Sequence, residues 1–221
     1  MFRYKVAEKF TSINGEGRKA GQTAVFIRFK GCDLRCSYCD TLWANSADCT
    51  EELMTAGEIL GYIKSTGIEN VTLTGGEPLI QENIYQLIDL LCQNKLAVEI
   101  ETNGGQDISV YRDLEITPSF TLDYKLPASG MEQFMNMDNY RFLTKKDTVK
   151  FVCSDAGDLE KAEEIIKKYS LTEKCAVYLS PVFGRIAPEE IVNFMIGHKM
   201  NGVNFQLQIH KIIWDPEKRG V

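Results

Sequence analysis

The 221-residue chain has no internal repeat, no low-complexity tract and no apolar run approaching the length of a membrane span, so neither a solenoid nor a transmembrane architecture is expected. It also has no basic excess. Its 25 Lys and Arg stand against 31 Asp and Glu, a net charge of -6, whereas a nucleic-acid partner would call for a basic face or stripe. Met1 to Phe10 mix charged with apolar residues and lack the continuous apolar stretch of an export signal, so a cytoplasmic protein with no membrane partner is expected. What the chain does have is 44% hydrophobic residues, enough for one substantial core, and a single domain over residues 1–221 is the expectation. Its seven cysteines, an odd number, suit a reducing compartment where thiols ligate metal or lie buried.

The segment Thr23 to Phe29 is β-branched and aromatic, and alternation places Val25, Ile27 and Phe29 on one face and Phe26 and Arg28 on the other. A helix is bracketed by Thr55 and Glu58, which form a T-x-x-E start, and by Gly67 as its stop. Further strands are expected at 70–74, 97–101, 120–125, 148–152, 176–179 and 204–209, with helices at 83–94, 159–169 and 188–200. This alternation predicts an α/β fold with a parallel sheet. A chain shorter than a full eightfold barrel suggests an incomplete TIM-type βα barrel, with an open doubly wound sheet as the alternative. In either, ligands belong at the carboxyl ends of the strands, which directs attention to the loops after Phe29, Thr74, Glu101, Lys125 and Val152.

The first of those loops carries Cys32, Cys36 and Cys39 with the spacing C-x3-C-x2-C, three soft donors within eight residues. Three thiolates on a 4Fe-4S cluster leave one iron open for chemistry. Cys49 as a fourth ligand would instead close a structural zinc or iron-sulfur site, although small zinc motifs usually pair two C-x2-C knuckles and only one is present. Cys92, Cys153 and Cys175 lie in apolar segments and read as small core residues.

With Tyr38 immediately before the last cysteine, this loop resembles the motif of the radical S-adenosylmethionine (SAM) superfamily. The resemblance implies that the open iron binds the amino and carboxylate groups of SAM and that electron transfer yields methionine and a 5'-deoxyadenosyl radical. Thr74-Gly75-Gly76-Glu77-Pro78, which alone could be a plain turn, is similar to the superfamily's GGE motif, whose backbone receives the SAM amino group. By the same resemblance Tyr38, Asp40, Gly75, Gly76, Glu77, Glu101, Thr102, Asn103, Asp123 and Lys125 are expected to bind SAM. Lys150 reads as a solvated lysine, and His198 as a cation at a helix C-terminus.

Ser12-Ile13-Asn14-Gly15-Glu16-Gly17, Cys39-Asp40-Thr41 and the closing Arg219-Gly220-Val221 narrow the likeness, nearly over the full length, to the 7-carboxy-7-deazaguanine synthase family, which feeds queuosine and 7-deazapurine biosynthesis. That family carries glutamine where this chain has Asn14, and the amide is retained. The implied substrate is 6-carboxy-5,6,7,8-tetrahydropterin. Asn14 and Glu16 would read its ring edge, and the Arg28 guanidinium would pair with its carboxylate, although an ordinary surface arginine reads equally well. The resemblance further implies substrate contacts at Ile13, Gly15, Thr74, His210 and Val221. It also implies Mg2+ on Thr41, an electron donor such as flavodoxin or ferredoxin, and a homodimer. Strand alternation over 204–209 and its extension would set Gln208 and His210 on one face. The competing readings are a glycyl-radical-enzyme activase, which acts on a protein, and a non-catalytic four-cysteine module.

Overall fold

The computed structural model describes residues 2–221. Within Thr23–Phe29 the expected two-faced strand forms: Val25, Ile27 and Phe29 have no exposed surface, while Phe26 and Arg28 face a cleft. This strand, β2, belongs to a nine-stranded sheet. In spatial order its members are β3 (Glu52–Met54), β1 (Tyr4–Ile13), β2, β4 (Asn70–Gly75), β5 (Ala97–Thr102), β6 (Ser119–Tyr124), β7 (Thr148–Cys153), β8 (Ala176–Pro181) and β9 (Val203–Phe205). From β2 to β9 every neighbour is parallel, and β1 is antiparallel to both its partners. The edge strands β3 and β9 do not pair, so the barrel is incomplete.

Period-two alternation along the middle strands sorts the residues. Val71 and Leu73, Ile100, Phe120 and Leu122, Val149 and Phe151, and Val177 and Leu179 are buried in the apolar core. The core also takes in Ile59 and Ile63 of α1 (Ala56–Thr66) and Leu87, Ile88 and Leu91 of α2 (Ile84–Gln93), each such side chain contributing about 1.5–3 kcal/mol by leaving water. Between the buried apolar positions stand Thr72, Thr74, Glu99, Glu101, Thr121, Asp123, Lys150 and Ser180, which give the opposite face its polar lining.

The β1–β2 connection shows how far the sheet curves. Asn14 Oδ1 accepts from Thr72 Oγ1 at 2.9 Å, and Lys19 Nζ donates to Asn70 Oδ1 at 2.7 Å and to the Ala97 carbonyl at 3.1 Å. Gly17 N donates to Gln206 Oε1 at 2.8 Å. One nine-residue connection thus reaches β4, β5 and the segment after β9, which a flat sheet would forbid, and it closes the amino end of the barrel.

Helix starts follow local chemistry. Thr55 and Glu58 form the expected capping box, and Gly67 ends α1 at φ +71°. The third helix, α3 (Ala156–Tyr169), begins before Leu159 because Asp155 caps it, accepting from Asp158 N at 2.9 Å. It is followed by α4 (Leu171–Lys174), α5 (Pro188–Gly197) and α6 (His210–Ile213). One strand is added and one expectation is corrected. Ahead of Thr23, where the sequence suggests no strand, β1 opens the fold and takes in Ser12 and Ile13. The last strand stops at Phe205, and His210 opens α6 instead of extending a strand. Among the described residues no helix is long and apolar enough to cross a membrane.

Candidate active site

The loop after β2 is fixed at both flanks. Leu34 is buried, Ser37 N donates to the Ser129 carbonyl at 3.0 Å, and Ser37 Oγ donates to the Ala128 carbonyl at 2.7 Å. Cys32, Cys36 and Cys39 are free, half-buried thiols facing a cleft of about 660 Å³ at the carboxyl end of the barrel. Burial pushes all three thiols up. Cys32 Sγ accepts from Leu34 N at 3.4 Å and stands 3.9 Å from Asn103 Nδ2, donors that favour its thiolate.

Among the described residues no three His, Cys, Asp or Glu side chains converge as ligands of a single ion. Three free thiols from one loop that face one cleft are the soft donor set that a 4Fe-4S cluster takes, with one iron left open, so the residues present fit that group. Cys49 is outside this cleft, its thiol donating to the Thr50 carbonyl at 3.3 Å. Cys92, Cys153 and Cys175 are buried in the core as expected.

Beside this loop the paired glycines at the end of β4, Gly75 and Gly76, are obligatory. Gly75 has φ +142°, and a Cβ there would lie 2.3 Å from the Phe29 carbonyl oxygen, while one on Gly76 would lie 2.1 Å from that of Gly31. Their backbone approaches the cysteine loop itself. Glu77 N donates to the Gly31 carbonyl at 2.9 Å, and the Glu77 carboxylate turns away from the cleft, accepting from Asn103 N at 2.6 Å, Leu79 N at 2.9 Å and Thr102 Oγ1 at 2.9 Å. Burial nevertheless pushes this carboxyl up to about 7, against the pull of those donors.

Glu101, Thr102, Asn103, Asp123 and Lys125 all line the cleft. Thr74 Oγ1 donates to Glu101 Oε2 at 2.9 Å, and Lys125 pairs with Asp123 at 2.9 Å. Tyr38 donates from its hydroxyl to the Val152 carbonyl at 3.3 Å, its ring 5.6 Å from the Arg185 guanidinium. Thr41 Oγ1 is 3.0 Å from Asp40 Oδ1. Neighbouring protein atoms oppose ionisation of Asp40, whose side chain is nonetheless 60% exposed, and the Lys211 ammonium at 3.0 Å and the Thr41 hydroxyl hold its carboxyl down at about 2. Thr41 and Asp40 therefore offer hard, anionic oxygen suited to Mg2+.

Deeper in the barrel, Glu16 rises from the β1–β2 connection. Lys150 Nζ is 3.0 Å from its Oε2, Gln208 Nε2 is 3.3 Å from the same oxygen, and Ser180 Oγ and Gln206 Nε2 each lie 3.3 Å from Oε1. Lys150 is thus buried and paired, which corrects its reading as a solvated lysine: the phase of β7 turns it inward between the core residues Val149 and Phe151. Arg28 lines the cleft with its Nε 3.3 Å from Glu8 Oε2. His210 packs on Gly15, where a Cβ would stand 1.9 Å from its Nδ1. Its imidazole pKa is lowered by burial, against the pull of Glu16. Ile13, Thr74 and Val221 also line the cleft, whereas Asn14 is buried behind it on Thr72. His198 caps α5, stacked on Phe194 with Nδ1 2.8 Å from Glu163 Oε2.

The family model for the radical SAM superfamily matches residues 26–124, from β2 through β6, and so takes in the cysteine loop, the paired glycines and the Asp123 strand end. Over nearly the whole chain the similarity is narrower. The 7-carboxy-7-deazaguanine synthase of Clostridium acetobutylicum is 58% identical over 219 residues, 99% of each chain. The chain belongs to the 7-carboxy-7-deazaguanine synthase family. The synthase of Leptospira interrogans is 35% identical over 238 residues, 98% of this chain and 97% of that one. Among solved structures, QueE from Escherichia coli superposes with a TM-score of 0.69 at 23% identity, covering 93% of this chain and 92% of that one. SuiB of Streptococcus suis bound to S-adenosylmethionine gives 0.54 at 15% identity, over 80% of this chain and 45% of that one. These two likenesses speak to the fold, an incomplete βα barrel.

Four residues that reach the site were given no role by the sequence alone: Glu8 on Arg28, Ser180 and Gln206 on Glu16, and Arg219 of the closing motif, whose guanidinium lies 4.1 Å from the Trp43 ring centre. The inward phase of β8 was the signal available for Ser180. The contacts of Glu8, Gln206 and Arg219 come from tertiary packing.

Proposed function

We propose that the protein converts 6-carboxy-5,6,7,8-tetrahydropterin to 7-carboxy-7-deazaguanine with loss of ammonia. The observation that carries this reading is one cleft that joins three free thiols at its mouth to a guanidinium and a paired carboxylate in its depth. Cys32, Cys36 and Cys39 would hold the 4Fe-4S cluster, with the ends of β4, β5 and β6 and Tyr38 and Asp40 beside bound SAM. When bound, cluster and SAM supply the one-electron chemistry that opens the substrate's C6–H bond.

The chain's own residues bind, orient and shield. Arg28, its Nε edge taken by Glu8, meets the substrate carboxylate. Glu16 accepts from ring N–H groups, and His210 and Val221 cover the ring, with Ile13, Gly15 and Thr74 beside it. Buried Asn14 and Glu77 act behind the cleft, by fixing the connection before Glu16 and the strand ends beside the cysteine loop. Thr41 and Asp40 would take Mg2+, which shares its remaining positions with water and the substrate's anionic oxygens. A barrel whose amino end is closed by the β1–β2 connection keeps solvent and stray hydrogen donors from the reacting carbon.

A flavodoxin or ferredoxin is the inferred electron donor, a homodimer the inferred assembly and the cytoplasm the inferred compartment. The enclosed polar depth favours a small anion over the protein substrate of a glycyl-radical-enzyme activase. The position of Cys49 outside the cleft weighs against a four-cysteine module. Anaerobic incubation of the reconstituted protein with SAM, a reductant and the tetrahydropterin, followed by mass spectrometry, tests the proposal. Ring-contracted product supports it, and 5'-deoxyadenosine without that product refutes the substrate.

A further inference from the structure

Within the polar depth of the barrel, Lys150 stands between the two halves of the site. Its ammonium is 3.0 Å from Glu16 Oε2 on the substrate side and 3.8 Å from Asp123 Oδ2 on the SAM side, and Asp123 in turn pairs with Lys125 at 2.9 Å. The side chains of Lys150 and Glu16 are only 10% and 11% exposed. The other donors on Glu16, those of Gln208, Ser180 and Gln206, are neutral and stand farther off at 3.3 Å. Glu16 thus has a single ammonium at hydrogen-bond distance among the described residues.

The chemistry of the pocket makes that charge consequential. A carboxylate this far from water, deprived of its cation, takes up a proton or costs the fold. Once protonated, it presents an O–H donor where a pterin ring edge offers N–H donors of its own, and two donors facing each other repel. An ionised Glu16 held by the ammonium stays an acceptor only, and its longer 3.3 Å contacts with Gln208, Ser180 and Gln206 are the ones that a ring N–H can displace. The second contact of Lys150, with Asp123, ties the height of that carboxylate in the barrel to the strand end on the SAM side.

We propose that Lys150 is a positioning residue of the reaction: it keeps Glu16 an acceptor for the N–H edge of the substrate and sets that carboxylate in register with Asp123. This rests on the carboxypterin reading given above.

The test uses the cluster-loaded protein under anaerobic conditions. Binding of oxidised 6-carboxypterin is followed by the ligand's own fluorescence, KM for the tetrahydropterin by turnover, and SAM affinity by titration. Lys150→Met is expected to weaken pterin binding and raise KM by about tenfold or more, the scale of a lost charge-assisted contact, with SAM affinity held within about threefold. Lys150→Arg should recover most of the loss. Because Glu16 and Lys150 act as one unit, Glu16→Gln combined with Lys150→Met should bind pterin no worse than Glu16→Gln alone. That double variant leaves no unpaired buried charge and decides the matter if Lys150→Met alone fails to fold. The proposal is overturned if Lys150→Met binds pterin as the unaltered protein does, if pterin and SAM weaken equally, or if the two losses add. Should the unaltered protein convert no carboxypterin at all, the substrate reading falls and this inference with it.

Discussion

Glu77, which has no exposed surface, accepts a hydrogen bond of 2.6 Å from the backbone N–H of Asn103, so the turn after β4 and the end of β5 are fastened beneath the cysteine loop. Three donors meet this carboxylate, yet burial pushes it up to about 7 from an ordinary 4.5. A carboxyl whose folded pKa lies above its unfolded value binds its proton more tightly when folded. Its stabilising contribution is therefore full below about pH 4.5 and lost as pH rises through about 7, a fall on the order of 3 kcal/mol. Urea unfolding of the cluster-free protein at about pH 5 and about pH 8 is expected to show this loss, and Glu77→Gln to remove that part of the slope. Equal slopes in both proteins would place the ionisation cost elsewhere.

Gly76 has no room for a side chain, because a Cβ would stand 2.1 Å from the Gly31 carbonyl oxygen, one residue before Cys32. Gly76→Ala must push the cysteine loop outward. Iron and sulfide content after reconstitution should fall to less than about half, with a stability loss above about 2 kcal/mol in the cluster-free protein. Normal iron content would mean that the loop yields without moving its thiols.

Arg28 and Glu8 form an ion pair at 3.3 Å across β2 and β1, mostly withdrawn from solvent. Arg28→Ala removes the guanidinium that would meet the substrate carboxylate, and carboxypterin affinity is expected to drop by about ten- to a hundredfold while SAM affinity holds. Equal weakening of both ligands would move Arg28 out of the substrate's site. Glu8→Gln should cost less, since it loosens the arginine without deleting it.

Cys49 donates its thiol to the adjacent Thr50 carbonyl outside the cleft. Cys49→Ala should reconstitute with full iron and an unchanged cluster absorption spectrum, whereas Cys36→Ala should lose the cluster. Loss of metal in Cys49→Ala would restore the four-cysteine reading.

Much of this was legible in the sequence because it is written in local patterns. The period-two phase of Thr23–Phe29 fixes which side Arg28 faces, Thr55 and Glu58 announce α1, and the cysteine spacing lies within one loop. What escaped depends on partners distant in the chain. Strand β1 mixes charge and apolar residues, since it is covered unevenly, and Glu8 acquires meaning only opposite Arg28. Lys150 is a lone cation in a strand, and its burial becomes evident only when a connection 134 residues earlier brings Glu16 to it. Strand alternation puts His210 on a strand extension, but the chain turns at Ile209, whose N–H donates to the Gly15 carbonyl at 3.1 Å.

If one cleft holds the carboxypterin ring beside the SAM bound at the cysteine loop, as we propose, hydrogen passes directly between the two ligands. The most direct measurement follows deuterium placed at C6 of 6-carboxy-5,6,7,8-tetrahydropterin, by mass spectrometry of the SAM and product recovered after anaerobic turnover. Deuterium appearing in 5'-deoxyadenosine, or in SAM if the cofactor is re-formed after turnover, as 7-carboxy-7-deazaguanine forms is the expected result, since the two ligands must then lie within reach of one another in the same cleft. Product forming with no deuterium ever entering SAM or 5'-deoxyadenosine would contradict the account.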